Sequence, residues 1–142
     1  MLNIEIKILS VNELNDFRII RLSALEKSPK MFGSTHIAEV AKPSIFFENC
    51  LSSSTVFGAY HKNKIIGLAT FTQETGIKFS HKAYLSSVFI EPEFQEKGVQ
   101  VNYLGQLWSI VKNMWNKFYL LLLMIISLRL ISIKILVFKR ME

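Results

Sequence analysis

The sequence predicts an α/β fold, with a mixed, mainly antiparallel central sheet and helices on both faces. Three observations lead there. Runs rich in β-branched and aromatic residues recur at strand length between Gly, Pro, Asn and Ser turn signals. Other stretches carry apolar residues at helical spacing. The order reads strand, helix, helix, three strands, helix, strand, which covers an antiparallel series from two sides. The chain has 142 residues, 50% hydrophobic and 20% charged, which suits one core and argues against disorder. Residues 1–142 are therefore read as a single domain.

Asn3 to Leu9 alternates, with Ile4, Ile6 and Ile8 opposing Glu5 and Lys7, the pattern of a half-buried strand. Ser10 followed by Glu13 has capping-box spacing. Leu14, Phe17, Arg21, Leu22 and Leu25 define a helix to about Lys27, which Ser28-Pro29 stops. Arg18 and Arg21 are expected to face solvent. Lys30 to Ser34 forms a turn around Gly33. His36 to Phe47 is helical in part, interrupted at Pro43, with Phe46, Phe47 and Leu51 as an apolar face and residues 52–54 as a loop.

Thr55 to Tyr60 and Ile65 to Thr72 are strands joined by the hairpin turn His61-Lys62-Asn63-Lys64. After a turn at Thr75-Gly76, Lys78 to Ile90 supplies a third strand. Pro92 cannot donate to a ladder and pushes Glu91 out of helical dihedrals, so the strand ends there. Gly98 opens a helix, with Val101, Leu104, Trp108, Val111 and Trp115 on one face, and Asn116-Lys117 ends it. Phe118 to Ile126 is apolar on both sides, as in a strand at a sheet interior.

Charge and composition exclude several functions. Residues 1–97 carry 11 basic and 10 acidic side chains, and residues 98–142 carry 6 and 1. This C-terminal excess favours an acidic ligand or surface but forms no basic cluster, so no nucleic-acid partner is expected. Cys50 is the only cysteine, which rules out an intramolecular disulfide and a CxxC knuckle, and no metal is expected. The N-terminal MLNIEIKILS has too short an apolar run for a signal peptide, and a cytoplasmic location is expected. Residues 118–138 are long and apolar enough to raise a membrane reading. Arg129 and Lys134 within that run each cost about 2.5–3.5 kcal/mol at a span's centre, so buried strands are the preferred reading.

The stretch 83–115 carries the chemistry. A strand, a short loop and a helix in that order set unpaired helix N–H groups beside a strand end, which suits a phosphate. Glu91, at the strand's end, is the candidate general base. Glu93 and Glu96 read as solvated, and His36, His61 and His81 as surface or turn residues. No Ser–His–Asp order, Walker sequence or zinc pattern is present.

Three stretches, LSALEKSPKMFGST (22–35), VFGAYHKNKIIGLATF (56–71) and KFSHKAYLSSVFIEPEFQEKGVQ (78–100), together resemble the GCN5-related N-acetyltransferase (GNAT) superfamily over roughly residues 3–125. The resemblance implies an acyl-CoA N-acyltransferase-like fold. It also implies acetyl transfer from acetyl-CoA to a primary amine of a small molecule or peptide. In that frame the backbone of Val88, Phe89 and Ile90 bonds the pantetheine arm. Gln95, Glu96, Lys97, Gly98, Val99 and Gln100 cradle the pyrophosphate. The family pattern there is Arg or Gln, two residues, Gly, one residue, then Gly or Ala. Gln95 and Gly98 match it, whereas Gln100 does not.

The tail IISLRLISIKILVFKRME also departs, lacking the family's Asn and general-acid Tyr, with Val137-Phe138 where Gly-Phe is expected. Tyr103 and Tyr119 do not match the acid's position. The C-terminal end is thus read as divergent and the cleft as incomplete, with slow catalysis and a homo-oligomer formed through residues 118–138. Two alternatives stand beside transfer: a catalytically impaired acetyl-CoA-binding or interaction module, and a membrane-associated protein held by residues 118–138.

Overall fold

The computed structural model describes residues 3–29, 32, 34–73, 82–95, 97–114, 118–119 and 135–139. Strand β1 (Glu5–Ile8) leads through a short 3-10 turn into α1 (Leu14–Lys27). Helices α2 (His36–Val40) and α3 (Ser44–Ser53) follow, then β2 (Thr55–His61), β3 (Lys64–Gln73) and β4 (Lys82–Ile90). A 3-10 turn at Pro92–Phe94 connects to α4 (Lys97–Met114), and β5 (Phe118–Tyr119) and β6 (Ile135–Lys139) complete the described chain.

The sheet runs β1-β2-β3-β4-β6-β5, and every described pairing is antiparallel. The hairpin expected at His61 to Lys64 is present, and it is tighter than expected, because His61 and Lys64 pair within the strands and leave a two-residue loop. Lys62 and Asn63 take φ of 49° and 64°, as a type I′ turn requires.

Strand alternation sorts the core into two layers. Phe57, Ala59, Ile66, Ala69, Val88 and Ile90 pack with Tyr103, Leu107 and Val111 of α4. Val56, Tyr60, Ile65, Leu68 and Phe89 pack on the other face against Phe17, Ile20 and Ala24 of α1 and Phe47 of α3. Helices on both faces are thus present as expected. Each large apolar side chain so buried contributes about 1.5–3 kcal/mol.

Several expectations are corrected. Val101 is 70% exposed, and the core stripe of α4 runs through Tyr103, Leu107 and Val111 at i, i+4, i+8, with Leu104 and Trp108 on its flank. A tyrosine able to bury its hydroxyl on a partner outcompetes the smaller valine for the inner face. Helix α3 continues through residues 52 and 53, where a loop was expected. Arg21 does not face solvent but pairs with the buried Glu39, and Arg18 donates to the Val40 carbonyl at 3.1 Å. Phe118–Tyr119 lies at the outer end of the strand order, not its interior, because β6 intervenes next to β4.

The readings of Gly33, His81, Thr75-Gly76, Trp115, Asn116-Lys117 and residues 120–134 lie outside the described residues, and the association expected of residues 118–138 falls largely there too. Among the described residues, no helix is long and apolar enough to cross a membrane.

Candidate functional site

The site is built where β4 ends and α4 begins. Val88 and Ile90 point into the α4 layer and Phe89 into the α1–α3 layer, all buried, so these residues can offer a ligand only their backbone. The ladder breaks between Ser86 and Phe89, across Ser87 and Val88. Leu68 pairs with Phe89 and Thr70 with Ser86, so β4 carries one residue more than β3 across that interval. Ser87 there has φ of 53°, a left-handed conformation rare for a non-glycine residue. Such a bulge takes backbone groups out of the ladder and turns them toward another partner.

Gly67 permits the close approach at this point, since a Cβ on it would sit 2.9 Å from the Phe89 carbonyl oxygen. The Tyr103 hydroxyl donates to the Leu68 carbonyl at 2.8 Å. Burial pushes the Tyr103 phenol well above its ordinary pKa, so it stays a donor and does not serve as an acid at neutral pH.

Beyond Ile90 the chain turns tightly. Phe94 N–H donates to the Glu91 carbonyl at 2.9 Å and Gln95 N–H to the Pro92 carbonyl at 3.1 Å. The Gln95 side chain folds back and donates from Nε2 to the Ile90 carbonyl at 2.8 Å. Gln95 therefore braces the loop, with one of its two amide N–H donors used on the Ile90 carbonyl. The N–H groups without an intrahelical acceptor are those of the first turn of α4, which includes Lys97, Gly98 and Val99. Gln100 begins the regularly bonded part of the helix and is half-buried. Glu96 lies outside the described residues.

Glu91 is 7% exposed and turns toward α1. Its N–H donates to the Ile66 carbonyl at 2.7 Å, extending β4's hold on β3 by one residue. Its carboxylate accepts from Ser23 Oγ through one oxygen and from Lys27 Nζ, at 2.5 Å, through the other. The hydrogen bond to Glu91 keeps the Lys27 ammonium above its ordinary pKa. Ser23 and Lys27 were not singled out in the sequence, although a signal existed. Ser23 follows Ile20 by three residues, beside the stripe that α1 buries, where a polar side chain needs a partner, and Lys27 stands one turn further at the helix's exposed end.

A second polar centre joins α1 to α2. Arg21 Nε lies 2.5 Å from Glu39 Oε1, and Nη2 lies 3.0 Å from Oε2. Burial alone would raise the Glu39 pKa, but hydrogen bonds from Arg21 and Ser34 and the Arg21 charge outweigh it, and the net shift is downward. No group of three His, Cys, Asp or Glu side chains able to hold a metal occurs among the described residues.

The arrangement can hold a phosphate at a helix start and expose backbone donors at a bulged strand end one turn of chain away. The family described as acetyltransferase (GNAT) matches residues 21–107. The fold is similar to that of the PaiA N-acetyltransferase from Thermoplasma acidophilum in complex with coenzyme A, with a TM-score of 0.58 and 15% identity over 99% of this chain and 100% of that one. It is similar also to an aminoglycoside acetyltransferase from an uncultured soil metagenomic sample, with a TM-score of 0.59 and 13% identity over 80% of this chain and 74% of that one. A ribosomal-protein-alanine N-acetyltransferase from Brucella melitensis biovar Abortus 2308 gives a TM-score of 0.56 and 12% identity over 78% of this chain and 73% of that one. At these identities the likeness to solved structures is one of fold. The sequence matches none of the curated proteins with which it was compared.

Proposed function

The chain belongs to the acetyltransferase (GNAT) family, and from that premise we propose that it transfers an acetyl group from acetyl-CoA to a primary amine of a small molecule or peptide. The observation that carries this reading is the order of the β4 bulge, the Gln95-braced turn and the start of α4 at Lys97. A pyrophosphate is a good ligand for the first-turn N–H groups of Lys97, Gly98 and Val99, which are joined by the helix dipole. The backbone of Val88 to Ile90 is the edge along which a pantetheine arm would lie. Acetyl-CoA supplies the thioester, and every other part falls to the protein.

The unprotonated amine attacks the thioester carbonyl carbon, the C–N bond forms and the C–S bond breaks. A backbone N–H freed by the bulge stabilises the oxyanion between those events. Glu91 is the proposed acceptor of the amine's proton, reached through a water. Ser23 and Lys27 fix the orientation of its carboxylate. The thiolate needs little help to leave, since a free thiol has a pKa of about 8.5.

A second reading, coenzyme A binding without turnover, is favoured by one observation. Tyr103, the buried tyrosine of α4, has its hydroxyl committed to Leu68 and cannot protonate the sulfur. The deciding experiment is an acetyl-transfer assay against polyamines, amino acids and N-terminal peptides, run beside coenzyme A calorimetry. Transfer to at least one amine supports the first reading. Binding with no transfer supports the second, and absence of both overturns the coenzyme A assignment.

A further inference from the structure

Among the described residues, the buried side chains of α4 are Tyr103, Leu107 and Val111, and of these Tyr103 alone carries a polar atom. Tyr103 is 2% exposed, and its hydroxyl reaches past the ring of apolar side chains to the Leu68 carbonyl. Leu68 is the last β3 residue in regular register before the bulge. The ring lies against Gly67, where a Cβ would come 3.4 Å from Tyr103 Cζ. Tyr103 stands six residues beyond Lys97, about 9 Å along the helix. One hydrogen bond therefore joins the helix whose start offers anion-binding N–H groups to the strand pair whose bulge offers the oxyanion donor.

We propose that Tyr103 is a positioning residue for acyl transfer, its hydroxyl setting the spacing between the phosphate-binding start of α4 and the β4 bulge. This rests on the acetyl-transfer reading above. The two ends of a thioester cofactor are held by different elements, α4 and β4. If those elements slide, phosphates still bind at the helix start, but the carbonyl no longer meets its donor. A misplacement of about 1 Å at the reacting centre can cost about 10²-fold. A residue that merely fills the core would, by contrast, affect stability and leave the catalytic constants alone.

The test is Tyr103→Phe, which deletes the hydroxyl and keeps the ring. kcat is expected to fall about tenfold or more, while the coenzyme A Kd stays within about twofold, because the helix start is untouched. Unchanged kcat in a folded Tyr103→Phe protein overturns the proposal, as does a parallel loss of coenzyme A affinity. Should that variant not fold, position 103 can carry p-chlorophenylalanine, which fills the hydroxyl's volume without donating, or p-aminophenylalanine, which donates. Only the chloro form is expected to lose kcat, and equal rates for the two overturn the proposal. A wild-type chain that transfers acetyl to no amine overturns both this proposal and the reading beneath it. A wild-type chain that does so, beside an unimpaired variant, overturns this one alone.

Discussion

Arg21 and Glu39 meet in a two-point ion pair, Nε to Oε1 at 2.5 Å and Nη2 to Oε2 at 3.0 Å, that ties α1 to α2 across 18 residues of sequence. Glu39 is 1% exposed, so neither charge can be removed alone without leaving the other in a poor solvent. Arg21→Met is expected to destabilise the protein by about 3 kcal/mol, and the double change Arg21→Met with Glu39→Met by clearly less. Urea unfolding of the two variants checks this, and equal losses would refute it.

The same pair gives the protein a pH dependence. The Glu39 pKa is lower folded than the ordinary value of about 4.3 expected of the unfolded chain. Its stabilising contribution is therefore complete above that ordinary value and is lost as the pH falls through the folded one. Between about pH 5 and pH 3, Glu39→Gln should show a shallower fall in unfolding free energy than the wild type. Superimposable slopes would assign the acid sensitivity elsewhere, for instance to Glu13, whose pKa is lowered by its hydrogen bonds from Ser10.

Gly98 lies in the first turn of α4 and is expected to let a phosphate approach the backbone. Gly98→Val should raise the coenzyme A Kd about tenfold or more, the equivalent of one or two lost phosphate contacts. Calorimetry giving the same Kd before and after would move the phosphate site off this helix.

Gln95 braces the turn through the Ile90 carbonyl. Losing one neutral hydrogen bond is worth about 1 kcal/mol, so Gln95→Ala should weaken coenzyme A about fivefold through a looser turn. Gln95→Glu, which removes the donor and adds charge near the phosphates, should weaken it further. The order of the two affinities is the readout.

Glu91 and Lys27 separate a chemical role from a mechanical one. As proton acceptor, Glu91→Gln should lower kcat by about 10²–10⁴. Lys27→Met leaves the carboxylate in place with Ser23 still donating to it, and should cost much less. Equal losses would mean that the carboxylate holds α1 to β4 and takes no proton.

Local patterns were legible in the sequence. The Pro92 stop and the Lys62-Asn63 turn follow from one or two neighbouring residues. What escaped depends on partners far along the chain. Arg21 looked solvated because Glu39 lies on another helix. Val101 looked inward because its spacing fits a helical face as well as that of Tyr103, and only the Leu68 carbonyl decides between them. The bulge at Ser87 has no local signature, since no glycine marks its left-handed turn and the register of β3 imposes it.

The contact between α1 and residue 91 also has a meaning in time. Lys27 and Glu91 are 64 positions apart. A ribosome adding about 5–20 residues per second delivers the second about 3–13 s after the first. During that interval Phe17, Ile20 and Ala24 can find Phe47 of α3 and Val56 of β2, but not Phe89, the residue that completes their layer. The nascent N-terminal half thus carries an unfinished apolar surface through several seconds of synthesis.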